Sequence, residues 1–178
     1  MHVDTLPEMF RTRLCKFSPV IAECVPGIDF QKVALSLSSI KPYFAMCVLR
    51  TFCNGWSTTA RYHDGVSLSC IFGCKYCPNS DCISHYLNCP LHRDAINSSL
   101  GEPHGTGILE RLGLSDLSPR SFLRLSIACA TYHCMKSSLR AGCAPLALFD
   151  AVVSTAMLAH EAHPSILADV NKKIEKKS

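Results

Sequence analysis

Five cysteines and one histidine crowded into twenty residues constrain this chain more than any other feature. The segment reads Cys70-Ile-Phe-Gly-Cys74-Lys-Tyr-Cys77-Pro-Asn-Ser-Asp-Cys82-Ile-Ser-His85-Tyr-Leu-Asn-Cys89-Pro90. A structural zinc ion takes four thiolate or imidazole ligands in a tetrahedron. Cys70 and Cys74 flank Ile-Phe-Gly, and Gly73 allows the backbone to turn so that both sulfurs point inward. His85 and Cys89 are four apart, so a helical turn places both on one face. Asp81 is expected to cap that turn, and Ile83, Tyr86 and Leu87 to dock it on the rest of the domain. The preferred ligand set is Cys70, Cys74, His85 and Cys89, holding Zn2+. Cys77 and Cys82 are alternates: Cys74 and Cys77 have the commoner two-residue gap, and Cys82 lies three before His85.

The other seven of the twelve cysteines (Cys15, Cys24, Cys47, Cys53, Cys129, Cys134, Cys143) are scattered among apolar residues. They are expected to be small core side chains. The first residues include Asp4 where a signal peptide would be basic, and no apolar stretch follows. This points to an intracellular chain, nuclear or cytoplasmic, with reduced thiols rather than six disulfides. The longest apolar run, 144–158, is interrupted by Asp150 and falls short of the roughly 20 residues of a membrane span. No membrane association is expected.

The pattern predicts a mainly α protein: a helical domain with one small embedded zinc knuckle, built of a short turn and a helix. Four regions are expected: a helical and irregular lead-in over 1–40, a helix plus knuckle over 41–100, a helical region over 101–164, and a basic tail over 165–178. Asp29 caps a helix to about Ser39 with Phe30, Val33, Ala34 and Leu37 inward. A second helix runs from Pro42 to about Arg61, with Ala45, Leu49, Phe52, Trp56 and Ala60 on one face. Residues 66–72 alternate weakly, as a short strand would. A short helix near 108–112 ends at Gly113. Ser118-Pro119 opens a long, broadly apolar helix to about Arg140, its wet side marked by Ser126, His133 and Arg140. A final helix covers about 146–162, with Leu146, Phe149, Val153, Ala156 and His160 on its buried face.

The net charge of +4 permits nucleic-acid contact without demanding it. Arg50, Asn54, Ser57 and Arg61 form a stripe on the Pro42–Arg61 helix. Such a stripe is either a solvated face or a set of phosphate contacts. Lys75 and Arg93 flank the cysteine cluster, and Tyr76 is placed to stack on a base. Partners on this reading are RNA or DNA; the alternative is a structural module that meets a protein through a helical face. No catalytic function is expected. His160-Glu161-Ala162-His163 is one residue short of H-E-x-x-H, and no phosphate-cradling glycine loop occurs.

The run Leu49-Arg50-Thr51-Phe52-Cys53-Asn54-Gly55-Trp56-Ser57-Thr58-Thr59-Ala60-Arg61, the Cys70–Cys74 pair and Asp81-Cys-Ile-Ser-His85-Tyr-Leu-Asn-Cys89-Pro90 carry a family likeness. Over about residues 45–100 the chain resembles the zinc-binding region C-terminal to the reverse transcriptase in non-LTR retrotransposon proteins of protist type. The resemblance implies zinc at Cys70, Cys74, His85 and Cys89 and a role in holding template RNA or target DNA. Cys77 and Cys82 lie outside the family's minimal pattern. No Tyr-x-Asp-Asp or Ala-Asp-Asp polymerase motif is present. On this resemblance the chain looks like a detached tail of such a polyprotein, or a gene fragment beginning at an internal methionine.

Overall fold

A computed structural model describes residues 6–62, 69–75, 81–100, 105, 107–142 and 147–160. Ten α-helices are described: α1 (Leu6–Leu14), α2 (Pro19–Cys24), α3 (Phe30–Ser38), α4 (Pro42–Phe52), α5 (Thr59–Tyr62), α6 (Ile83–Asn88), α7 (Pro90–Leu100), α8 (Ile108–Arg111), α9 (Pro119–Arg140) and α10 (Leu148–His160). A 3-10 turn at Val25–Gly27 follows α2. Among the described residues there is no strand. Ser69 to Phe72, expected to end a strand, are irregular and turn. No helix among them is long and apolar enough to cross a membrane.

Local signals set several boundaries. Asp29 caps α3 by accepting from Gln31 N at 2.9 Å and Lys32 N at 3.1 Å. Ser118 caps α9 by accepting from Ser121 N at 3.1 Å, and Pro119 occupies the first turn, where its missing N–H costs nothing. Pro90 pushes Cys89 out of the helical region (ψ 118°), which separates α6 from α7.

Helix α9 organises the molecule. It packs along α4 and α10 and also meets α3, α7 and α8, while α10 lies against α7. Neighbours on several sides require apolar residues nearly all round its middle. Phe122, Leu123, Leu125, Ile127, Cys129 and Tyr132 are accordingly buried. Phe122 meets Phe52 of α4 edge-on at 6.1 Å, and Phe52 in turn meets Phe10 of α1 at 6.0 Å.

Three periodicity readings are corrected here. The Pro42–Arg61 helix stops at Phe52. Asn54 adopts a left-handed conformation (φ 54°), its N–H bonds Thr51 O at 2.9 Å, and Gly55 N bonds Arg50 O at 2.6 Å. This pair of bonds is a Schellman C-cap, a motif that uses Gly or Asn at the left-handed position. Gly55 passes so close to α4 that a Cβ would lie 2.9 Å from Arg50 O. The stop swings Trp56 into full burial and dissolves the Arg50–Asn54–Ser57–Arg61 stripe. Secondly, Ser126 lies inside rather than on a wet face. Its hydroxyl sits 2.8 Å from Phe44 O and 2.7 Å from Phe122 O, so a carbonyl acceptor makes its burial tolerable. Thirdly, α10 buries Ala151, Val152, Thr155, Ala156 and Ala159, while Val153 is only half-buried. Small residues let α10 approach α9 and α7 closely, which a reading based on the bulkier side chains misses.

The scattered cysteines divide. Cys47 and Cys129 are buried and Cys53 half-buried, but Cys15, Cys24 and Cys134 are exposed. They fall on helix ends or outward faces, where periodicity and not residue type decides burial. On α3, Val33 and Leu37 are buried as expected and Ala34 is exposed. Ser36 takes the inward position, its hydroxyl donating to Leu117 O at 2.6 Å. Cys143, Leu146 and the 161–178 segment lie outside the described residues, as do Glu161 and His163.

Candidate metal centre

The cysteine cluster is built from one turn and one short helix. Gly73 takes φ 74°, and its N–H bonds Cys70 O at 3.0 Å, closing the turn that carries Cys70 and Cys74. Tyr86 of α6 fastens this turn from below. Its hydroxyl accepts from Ile71 N at 3.3 Å, and its ring meets Phe72 edge-on at 5.3 Å. Helix α6 carries His85, and Cys89 follows its last residue one turn on. Ile83, Tyr86 and Leu87 bury the docking face of α6 as expected.

Cys70, His85 and Cys89 converge. One ligand atom from each lies within 4.8 Å of the other two, and all three residues are buried. The Cys70 and Cys89 sulfurs are 3.9 Å apart. This group could hold a metal ion, and the chemistry of its atoms suits that role. His85 Nε2 is buried with no hydrogen-bond partner among the described residues, a costly state for a polar atom without a ligand. The Cys89 thiol lowers the proton affinity of Cys70, with His85 and the Cys74 and Phe72 amides adding to the effect against burial, so the Cys70 thiol is brought down to about 5. Cys89 moves the opposite way because it donates to Cys70 and is buried. One thiol of the pair is thus ready to act as a thiolate, the form that binds metal.

The other cysteines of the cluster differ in position. Cys74 is buried beside the group, and its charge raises the proton affinity of Cys89, but it is not one of the three converging residues. Cys82 is the N-cap of α6: its sulfur accepts from His85 N at 3.4 Å. It therefore fills the capping role expected of Asp81. Cys77 lies outside the described residues, as does Tyr76.

Asp81 has a different place, which the local sequence does not announce. It is 1% exposed, and five donors reach its carboxylate. Oδ2 takes Lys136 Nζ at 2.6 Å, Thr59 N at 2.7 Å and Thr59 Oγ1 at 2.5 Å. Oδ1 lies 2.7 Å from the Tyr86 hydroxyl and 3.1 Å from that of Tyr132. Burial works to raise its proton affinity, but the bonds from Lys136, Thr59 and Tyr86 prevail and hold the carboxyl at about 2. Trp56 stacks on Tyr132 (5.0 Å) and on Tyr86 (6.1 Å), which also meet each other at 4.7 Å, and its indole N–H donates to Thr51 Oγ1 at 2.8 Å. Asp81 and Trp56 thus join α6 to α9, α5 and the end of α4. Thr59, Tyr132 and Lys136 lie 22, 51 and 55 residues away in sequence, so only Tyr86, five residues on, was within reach of a local reading.

The basic residues do not form a single stripe. Arg50 and Arg61 are exposed on different helices. The guanidinium of Arg61 covers the Tyr62 ring at 5.7 Å. Burial, then the charges of Arg50 and Arg140, lower the proton affinity of His133. Lys75 is exposed immediately after Cys74. Arg93, on α7, pairs with Asp94 at 3.5 Å.

No protein-family model matches the chain, and no curated protein or solved structure shows significant similarity to it.

Proposed function

We propose that this chain is a non-catalytic, zinc-stabilised nucleic-acid-binding module, related to the region that follows the reverse transcriptase in non-LTR retrotransposon proteins. The convergence of Cys70, His85 and Cys89 carries the reading. Zn2+ would be held by these three residues with Cys74 as the fourth ligand, since Cys74 is buried on the same turn as Cys70. The ion has a structural role: it ties the 70–74 turn to α6, and the Asp81 and Trp56 contacts pass that constraint to α9. Arg50, Arg61, Lys75 and Arg93 supply positive charge for phosphates, and Tyr76 a stacking surface.

Zinc quantitation on the purified full chain tests the metal. About one equivalent per chain is expected, falling to near zero in His85→Ala and Cys89→Ala. Less than about half an equivalent in the parent chain removes the zinc reading. A salt-dependent gel shift with RNA and DNA, weakened in Arg50→Ala/Arg61→Ala, tests the partner. A second reading, a zinc-stabilised protein-interaction module, draws on Met157 and Leu158, which are more than half exposed on α10. It is the conclusion to draw if zinc is present and neither nucleic acid binds.

A further inference from the structure

Two cysteines meet away from the metal centre. Cys47 of α4 and Cys129 of α9 are 2% and 0% exposed, and both are free thiols. The two helices approach closely here: the Ser126 hydroxyl, on a side chain one carbon long, lies 2.8 Å from Phe44 O. Cys47 and Cys129 each follow that contact by three residues, so each stays on the helix face that makes it. Across the seam their thiols share a hydrogen bond. A disulfide needs Cα atoms within about 7 Å, a separation that closely packed helices offer at facing positions.

The pair is asymmetric. The hydrogen bond from Cys129 lowers the proton affinity of the Cys47 thiol against burial, and the charge of Arg50 and the Tyr43 hydroxyl add to the effect. Cys129 moves the other way, through the same bond and its burial. Cys47 is therefore the nucleophile of the two, and Cys129 the thiol that waits beside it. Tyr43, one turn before Cys47 on α4, is more than half exposed. Its hydroxyl donates to the Cys47 sulfur, so a surface side chain covers this thiol. Exposed side chains change rotamer within nanoseconds, which gives a small oxidant a way to Cys47. A nucleophilic thiol beside a second, resolving thiol is the arrangement that senses peroxides.

We propose that Cys47 and Cys129 form a peroxide-responsive pair that closes into a disulfide across the α4–α9 seam. The Cys47 thiolate attacks one oxygen of a hydroperoxide. The O–O bond breaks, the distal oxygen leaves with a proton as water or an alcohol, and Cys47 becomes a sulfenic acid. The Cys129 sulfur then displaces the sulfenic oxygen. An S–S bond forms, the S–O bond breaks, and the oxygen leaves as water with the Cys129 proton. The two thiols lose two electrons in all, and the peroxide gains them. None of Cys70, Cys74, His85 and Cys89 takes part, so this chemistry is independent of the zinc reading. The bond ties α4 to the central helix in a way that a dithiol reductant reverses.

The full chain, purified with zinc, is treated in its folded state with a few equivalents of hydrogen peroxide. Remaining thiols are then alkylated, and the digested chain is mapped by mass spectrometry. Loss of two hydrogen atoms is expected, with a peptide pair joined through Cys47 and Cys129 that dithiothreitol separates. In Cys129→Ser, a sulfenic-acid reagent such as dimedone should label Cys47, and in Cys47→Ser it should leave Cys129 unlabelled. Circular dichroism checks that both variants are folded; if either is not, the map of the parent chain decides alone. No Cys47–Cys129 link in the folded parent overturns the proposal. So does a link that forms only in denaturant, or Cys47 joined mainly to another cysteine.

Discussion

Lys136 of α9 places its ammonium 2.6 Å from Asp81 Oδ2, with Asp81 1% exposed and the Lys136 side chain 15% exposed. The bond spans 55 residues and locks the residue just before the cysteine-capped helix to the central helix. Removing one member of a buried pair leaves the other uncompensated. Asp81→Asn is therefore expected to cost about 3 kcal/mol in chemical denaturation, and Lys136→Met less, because Thr59 and Tyr86 still satisfy the carboxylate. A double-mutant cycle measures the coupling; equal single-mutant effects with no coupling would refute this account.

Asp81 also sets an acid limit. Its folded carboxyl titrates at about 2, below the ordinary carboxylate value, so protons bind the unfolded chain more readily. The associated stability is fully present above about pH 4 and is lost as the pH falls towards 2, by about 2 kcal/mol in all. Denaturation followed from pH 5 to pH 2 should show this loss in the parent chain. Asp81→Asn should be flatter over that window.

Trp56 is the single tryptophan and is stacked against Tyr86, the neighbour of His85. Its fluorescence should report the metal centre directly. Chelation of zinc is expected to release the 70–74 turn, loosen α6 and shift the emission to longer wavelength, and added zinc to reverse the shift. Emission unchanged by a chelator that strips the zinc would mean that the aromatic stack is held without the ion.

The ligand set divides by single substitutions. On the proposed ligand set, Cys74→Ser should weaken zinc binding strongly, because it removes the proposed fourth ligand. Cys82→Ser should leave zinc binding nearly intact and cost at most about 1 kcal/mol, because serine caps a helix at least as well as cysteine. Competition with a chromophoric chelator ranks both. The reverse order would assign Cys82 to the metal and Cys74 to packing.

Asn54, at φ 54°, tests the helix stop that buries Trp56. Asn54→Ala is expected to lower stability by about 1 kcal/mol, because a Cβ without a polar side chain disfavours the left-handed region. Asn54→Gly should be neutral or slightly stabilising. Thermal unfolding of the pair checks the sign.

What the sequence determined by itself was local. Asp29, Ser118, Pro119, Gly73 and Pro90 act on atoms within a few residues, so their caps, turn and break could be read from order alone. The four-residue step from His85 to Cys89 likewise puts both side chains on one face before any tertiary contact forms. Tertiary structure decided which residues complete those local pieces. Asp81 looked like a cap and became the buried anchor of the cluster, because Lys136, Thr59 and Tyr132 reach it from distant segments. Ser126 and the alanines of α10 are buried because neighbouring helices approach there, a matter of packing distance that periodicity does not encode.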